Sequence, residues 1–212
     1  MTPRPPAFDE AAVIDAAIET FTRHGYEGAD ASTLCREAGL SRSSLYNSFG
    51  SREALFVRAL GEYSRRGVEQ AAALAEAEGS ALSLLRSRLL DGVQAQARKG
   101  SRDGCLTVNV GIELGRSLPE AAAIVDADRE AWVRCYAALL ERAARQGDLA
   151  FDGDPLALGA ALHTLLAGLR VAARTLAPDE LGREVDAVLG TWATAAGREL
   201  LGRLASRGEE AR

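Results

Sequence analysis

Between Asp30 and Arg52 the chain has room for two short helices joined by a tight turn, and for little else. Asp30 can accept the orphan amide protons that open the first helix, and Ser41 can do the same for the second. Leu34 and Ala38 lie one turn apart on an inner face, and Gly39 supplies the left-handed residue that ends a helix. In the second helix Leu45 and Phe49 point inward. That leaves Arg42, Ser43, Ser44, Tyr46, Asn47 and Ser48 to face out. A helix this short is not stable alone in water, so it must be held by its neighbours. Its hydrogen-bonding outer face is free for another molecule. This is the geometry of a helix-turn-helix that lays its second helix in the major groove of DNA.

The 212 residues allow one or two domains with real cores, at 47% hydrophobic and 26% charged residues. No apolar run approaches the roughly 20 residues of a bilayer span, and Met-Thr-Pro-Arg-Pro-Pro lacks a signal-peptide core. No membrane partner is expected. Cys35, Cys105 and Cys135 form no CxxC pair, which suits free thiols in a reducing cytoplasm. His24 and His163 are too few for a typical metal cluster. The net charge is −5, and through Arg66 there are eight arginines against nine carboxylates. Only the contacting surface of a DNA binder must be positive. The balance therefore predicts weak non-specific DNA binding, since few phosphates can be neutralised. Arg42 and Arg52 stand at two helix starts, where the dipole adds to their charge.

The expected fold is all-α, with about nine helices. Residues 1–7 read as a Pro-rich flexible arm in which Arg4 could reach a minor groove, residues 8–52 as the helix-turn-helix domain, and residues 53–78 as a linking helix. Residues 79–205 read as a larger helical domain and 206–212 as a frayed tail. Phe8 to His24 carries the stripe Val13, Ala17, Phe21, with Gly25 ending it. Ser51 can cap a long helix from Arg52 to about Ala77. The following helices run from Ala81 to Lys99, Cys105 to about Arg116, Pro119 to Gln146, Pro155 onward, and Pro178 to about Leu204. The segment from Cys105 holds Thr107, Val108 and Val110, so a buried strand competes with the helix there.

The run Gly25-Tyr26, Asp30 to Gly39, Leu45-Tyr46 and Phe49-Gly50-Ser51-Arg52-Glu53-Ala54-Leu55-Phe56 resembles the N-terminal signature of TetR/AcrR-type bacterial transcriptional regulators. The resemblance covers roughly residues 8–60, and the length and helical remainder agree with it. It implies a homodimer reading a palindromic double-stranded operator, released when a small-molecule effector enters the larger domain. Carried over by position, Arg42, Ser43 and Ser48 approach base edges. Ser44, Tyr46 and Arg52 hold phosphates, and Ser32 and Thr33 touch backbone or base. Asn47 and Ser48 stand where many relatives carry bulkier residues, Ser43 where Gly or Pro is common, and Cys35 where Ala is usual. The operator sequence is therefore not transferable.

The effector site is expected within residues 80–200. Cys105, Asn109 and Glu113 share a helical face, as do Trp132 and Tyr136, while His163 and Arg170 lie two turns apart. Aromatic walls with a few convergent polar groups suit a small-molecule pocket; ordinary core packing and interhelix polar contacts are the alternatives. Cys105 follows Gly104 at a helix start near Arg102, features that favour thiolate. The Gly104-Cys105-Leu106 segment also resembles one in part of the family, some of whose members sense reactive compounds. A thiol-based redox or electrophile switch is thus an alternative reading, set against a buried, inert cysteine. Small residues among large ones on the last two helices, with Gly159, Leu162, Ala167, Val188 and Trp192 among the contacts, fit the family's four-helix dimer interface.

An enzyme reading lacks support, since no P-loop, GxSxG, HExxH or dinucleotide fingerprint is present. No catalytic residues, metal ligands or cofactor are expected. A helical interaction module without DNA binding would account for the C-terminal half but not for the outer face of Ser41 to Ser48.

Overall fold

A computed structural model describes residues 8–98 and 104–210, with side chains assigned for most of them. Ten helices occur among the described residues: α1 (Glu10–Gly28), α2 (Ala31–Glu37), α3 (Arg42–Phe49), α4 (Arg52–Glu76), α5 (Ala81–Arg98), α6 (Leu106–Glu113), α7 (Pro119–Arg145), α8 (Pro155–Ala172), α9 (Pro178–Trp192) and α10 (Ala195–Glu210). The arm at residues 1–7, with Arg4, lies outside the described residues, as does Arg102. The segment that competes between strand and helix is the helix α6.

The chain divides into two compact units, one of residues 1–67 and 103–128, the other of 68–102 and 129–212. These limits differ from those expected. The first unit takes in α6 and the start of α7, because Leu106, Val110 and Ala121 are buried in the same core as Phe21, Leu34, Leu45 and Phe56. Aromatic rings tie that core together, Phe21 and Phe56 at 5.0 Å and Tyr26 and Phe56 at 4.7 Å, both edge-on. Each early helix is opened by a side-chain cap. Asp9 accepts from the Ala11 amide at 2.9 Å, Asp30 from Thr33 at 2.7 Å, Ser41 from Ser44 at 3.0 Å and Ser51 from Ala54 at 2.9 Å.

In the second unit Leu82, Leu85 and Leu89 of α5 meet Tyr136 and Leu139 of α7, Leu162, Leu166 and Leu169 of α8, and Leu181, Val185 and Leu189 of α9. The helix expected from Pro178 to Leu204 is two helices. Ala193 is extended (φ −71°, ψ 134°), and the break is stabilised from the loop after α7. The Ala150 amide donates to the Trp192 carbonyl at 2.8 Å, and the Thr194 amide donates to the Asp148 carbonyl at 3.0 Å. The Thr194 hydroxyl then accepts from the Gly197 amide at 3.1 Å and so opens α10. A Cβ on Gly197 would lie 2.0 Å from the Asp148 carbonyl oxygen, so only glycine fits this approach. α10 runs to Glu210.

Candidate nucleic-acid interface

The helix-turn-helix is built from α2, the turn at Gly39 (φ +64°), and α3. Leu34, Cys35, Leu45 and Phe49 are buried, which fixes the rotation of both helices. With that rotation set, Arg42, Ser43, Tyr46, Asn47 and Ser48 are exposed and Ser44 is half-buried. Tyr46 is 47% exposed, so its ring is not part of the core. Ser32 is exposed and Thr33 half-buried on the neighbouring α2. Arg42 reaches across the turn and donates to the Ser32 hydroxyl, which joins the two helices' outer faces. The Ser41 hydroxyl lies 2.9 Å from that of Ser43 and 2.8 Å from that of Ser44. The result is a continuous hydroxyl-rich surface.

Arg42 forms no ion pair among the described residues, whereas the other cations described in this unit are mostly engaged. Arg58 pairs with Glu10 and lies 5.0 Å over the Phe49 ring. Arg66 bonds Asp15 at 2.6 Å and Glu62 at 2.7 Å. Bonds from Arg65 and Arg66 hold the Glu62 carboxyl down at about 2. The Thr33 amide bond, with a smaller contribution from Arg42, holds the Asp30 carboxyl below its ordinary value.

Arg52, expected at a phosphate, has an internal post. Its guanidinium lies 4.1 Å above the Tyr26 ring and donates to the backbone carbonyls of Tyr26 and Ala29. It therefore braces the link between α1 and α2, while remaining half-buried rather than fully enclosed.

The residues expected at an effector site fall in different units. Cys105, Asn109 and Glu113 belong to the first, and all three are engaged there. Gly25 turns the end of α1 outward with φ +72°, which exposes the next two amides. The Glu113 carboxylate accepts from both, Tyr26 at 2.7 Å and Glu27 at 2.8 Å. A side chain at Gly25 would meet that carboxylate at 2.6 Å. Asn109 donates to the Thr22 carbonyl at 3.0 Å. Cys105 is buried, with its sulfur 3.2 Å from the hydroxyls of both Tyr63 and Thr107. This face of α6 thus holds α1 and α4 of its own unit. The Glu113 bond spans 87 residues of sequence, and no local pattern announces it.

Trp132, Tyr136, His163 and Arg170 belong to the second unit. Trp132 and Tyr136 are buried with rings 5.7 Å apart. His163 is pushed down to about 4, by burial first and then by the charges of Arg129, Arg170 and Arg88. Sequence reasoning did not single out Arg88, whose guanidinium lies 4.0 Å over the Trp132 ring. Two of the expected dimer residues point the other way: Leu162 is buried in the core, and Gly159 faces α7. A Cβ on Gly159 would lie 2.6 Å from the Val133 carbonyl, so its smallness serves packing within the unit. Ala167, Val188 and Trp192 are half-buried.

Comparison with known proteins agrees with this geometry. Residues 13–59 match the model for bacterial regulatory proteins of the tetR family, and residues 81–189 match a tetracyclin repressor-like C-terminal domain. The chain is 31% identical over 184 residues to the HTH-type transcriptional regulator YezE of Bacillus subtilis, covering 86% of this chain and 95% of that protein. It is 30% identical over 175 residues to the transcriptional regulator AcuR of Cereibacter sphaeroides, covering 80% and 78%. Among solved structures it resembles a cysteine-substituted form of the TetR family regulator CifR bound to 26-base-pair operator DNA, with a TM-score of 0.76 and 28% identity, covering 90% of this chain and 100% of that one. The chain belongs to the TetR family of bacterial regulatory proteins, and it is a DNA-binding transcriptional regulator.

Proposed function

We propose that the protein is a cytoplasmic homodimeric repressor that binds a palindromic operator and leaves it when a small-molecule effector occupies the second unit. The observation that carries the DNA half of this reading is the exposed face of α3, where Arg42, Tyr46, Asn47 and Ser48 stand clear of the core. Arg42 is suited to a guanine edge or a phosphate, and the hydroxyls and the Tyr46 phenol to phosphate oxygens. The dimer half is supported by the outer face of α8. Leu156, Ala157, Ala161, Thr164, Gly168 and Val171 are exposed there without a single charge. This apolar composition gives α8 the length and hydropathy of a membrane-crossing helix, yet Leu162, Leu166 and Leu169 bury its other side in a protein core. A second copy is the natural cover for such a face.

Fluorescence anisotropy with the DNA upstream of the protein's own gene, over a salt series, tests the reading. Tight binding with two protomers per site is expected, with only a shallow salt dependence because few phosphates are neutralised. Light scattering should give twice the monomer mass; a strict monomer at micromolar concentration refutes the dimer.

A further inference from the structure

Two arginines stand two residues apart on α5, and the fold treats them in opposite ways. Arg86 forms a two-point pair with Asp186, at 2.6 and 2.9 Å. Arg88 has no carboxylate partner among the described residues. Its guanidinium lies over the buried Trp132 ring, 4.0 Å from its centre, and its Nε is shut off from solvent without an acceptor. The placement is built rather than incidental. Gly92, one turn along α5, leaves the room: a Cβ there would meet Leu166 Cδ1 at 2.6 Å and Arg88 Nη1 at 3.2 Å. Arg142 on α7 repeats the pattern, since Nη1 donates to the Ala75 carbonyl at 3.1 Å while its Nε and Nη2 are buried without acceptors. The thiol of Cys135 lies within electrostatic reach of both arginines. His163 lies within reach of Arg88, Arg129 and Arg170, and no carboxylate contributes to its shift. The arginine nitrogens left without acceptors here can only donate, and the charges that act on Cys135 and His163 come from arginines. A buried N–H without an acceptor costs about 1–3 kcal/mol, and more when charged. A group that supplies only acceptors and negative charge removes that cost.

We propose that Arg88, laid on Trp132 in the second unit, is the anchor of a binding site for a small organic carboxylate. The guanidinium fork takes the carboxylate through two parallel N–H bonds, and the Trp132 and Tyr136 rings flank the apolar body of the molecule. The inference rests on the effector reading above and narrows it to one chemical class.

The test is calorimetric titration of the full-length protein with butyrate, octanoate and benzoate, each beside its neutral amide. At least one acid should bind at least tenfold more tightly than its amide and raise the melting temperature. Arg88→Gln should weaken that acid at least tenfold while leaving the helical circular dichroism unchanged. The proposal is overturned if none of the acids binds, if every amide matches its acid, or if Arg88→Gln binds the acid as well as the unaltered protein does. Should Arg88→Gln fail to fold, the acid-against-amide comparison on the unaltered protein decides alone. Operator release separates this inference from the reading beneath it. An acid that binds through Arg88 without releasing DNA supports the site and removes the effector reading. Release by neutral compounds with no acid bound through Arg88 overturns the site and keeps that reading.

Discussion

Arg42 on α3 and Arg88 on α5 each form no ion pair among the described residues while neighbours of the same type are tied down, yet their settings differ. Arg42 is exposed, and water satisfies whatever the Ser32 hydroxyl does not. Arg88 keeps its Nε away from water. A solvated spare charge carries little cost, so a surface can present one indefinitely to a large, weakly steered partner such as DNA. A buried spare donor carries a cost in every folded molecule, which its binding partner then relieves. On the readings proposed above, the exposed spare arginine meets a polymer and the buried one a small molecule.

The sharpest way to break this contrast lies within α5. Asp186→Ala strands the half-buried Arg86, whose side chain is 13% exposed, and should cost about 2–4 kcal/mol in urea unfolding. Arg88→Gln removes a charge that is already unsatisfied and loses one cation–aromatic contact. Its stability should therefore stay within about 1 kcal/mol of the unaltered protein. Equal losses from the two substitutions would erase the distinction between partnered and spare arginines.

The same contrast in the first unit sets Arg42 against Arg52. Arg42→Ala should leave the melting temperature unchanged and weaken operator binding by about 1–3 kcal/mol, roughly fivefold to 150-fold. Arg52→Ala should lower stability by about 1–2 kcal/mol, through the lost bonds to the Tyr26 and Ala29 carbonyls and the lost Tyr26 contact. Intact protein in which Arg52→Ala removes DNA binding without loss of stability would return Arg52 to the interface.

These pairs also show what the sequence could and could not reveal. The caps at Asp30, Ser41 and Ser51, the Gly39 turn and the inward Leu45 and Phe49 are local, since each acts within about four residues. They were legible, and with them the outer face of α3. The post of Arg52 depends on carbonyls 26 and 23 residues away, and the Glu113 cap on amides 87 and 86 residues away. Spacing along one helix shows which residues share a face, not what that face meets. Cys105, Asn109 and Glu113 shared a face as expected, and the face meets α1 and α4. The break at Ala193 was hidden for the same reason. Thr-Ala-Ala reads as helix, and the groups that divide it come from the loop around Asp148 and Ala150.

A smaller effect tests the Glu113 link directly. Glu113→Ala frees the Tyr26 and Glu27 amides, but both lie near solvent that can replace the carboxylate. The expected loss is about 1 kcal/mol, with faster hydrogen exchange confined to those two amides and the end of α1. Protection unchanged at Tyr26 and Glu27 would show that the carboxylate does not hold them in solution.

The last comparison is the response to mild acid, and it probes the setting around Arg88. His163 falls from an ordinary 6.5 to about 4 in the folded protein, through burial and then the charges of Arg129, Arg170 and Arg88. Between those two values the unfolded chain carries a proton on this histidine that the folded chain refuses. Stability therefore rises with pH across the window and falls as pH drops from 6.5 toward 4. Acid-range losses also come from Asp30 and Glu62, whose lowered carboxyls hold their protons off until further down. Their contribution therefore fades mainly below the His163 window. His163→Gln removes the histidine contribution alone, so its melting temperature should depend less on pH between 6.5 and 4.5. Arg88→Gln should flatten the same stretch in part, because one of the three charges that oppose the proton is gone. A slope that His163→Gln leaves unchanged would mean that burial and the arginines around this histidine do not hold its proton off as the fold places them.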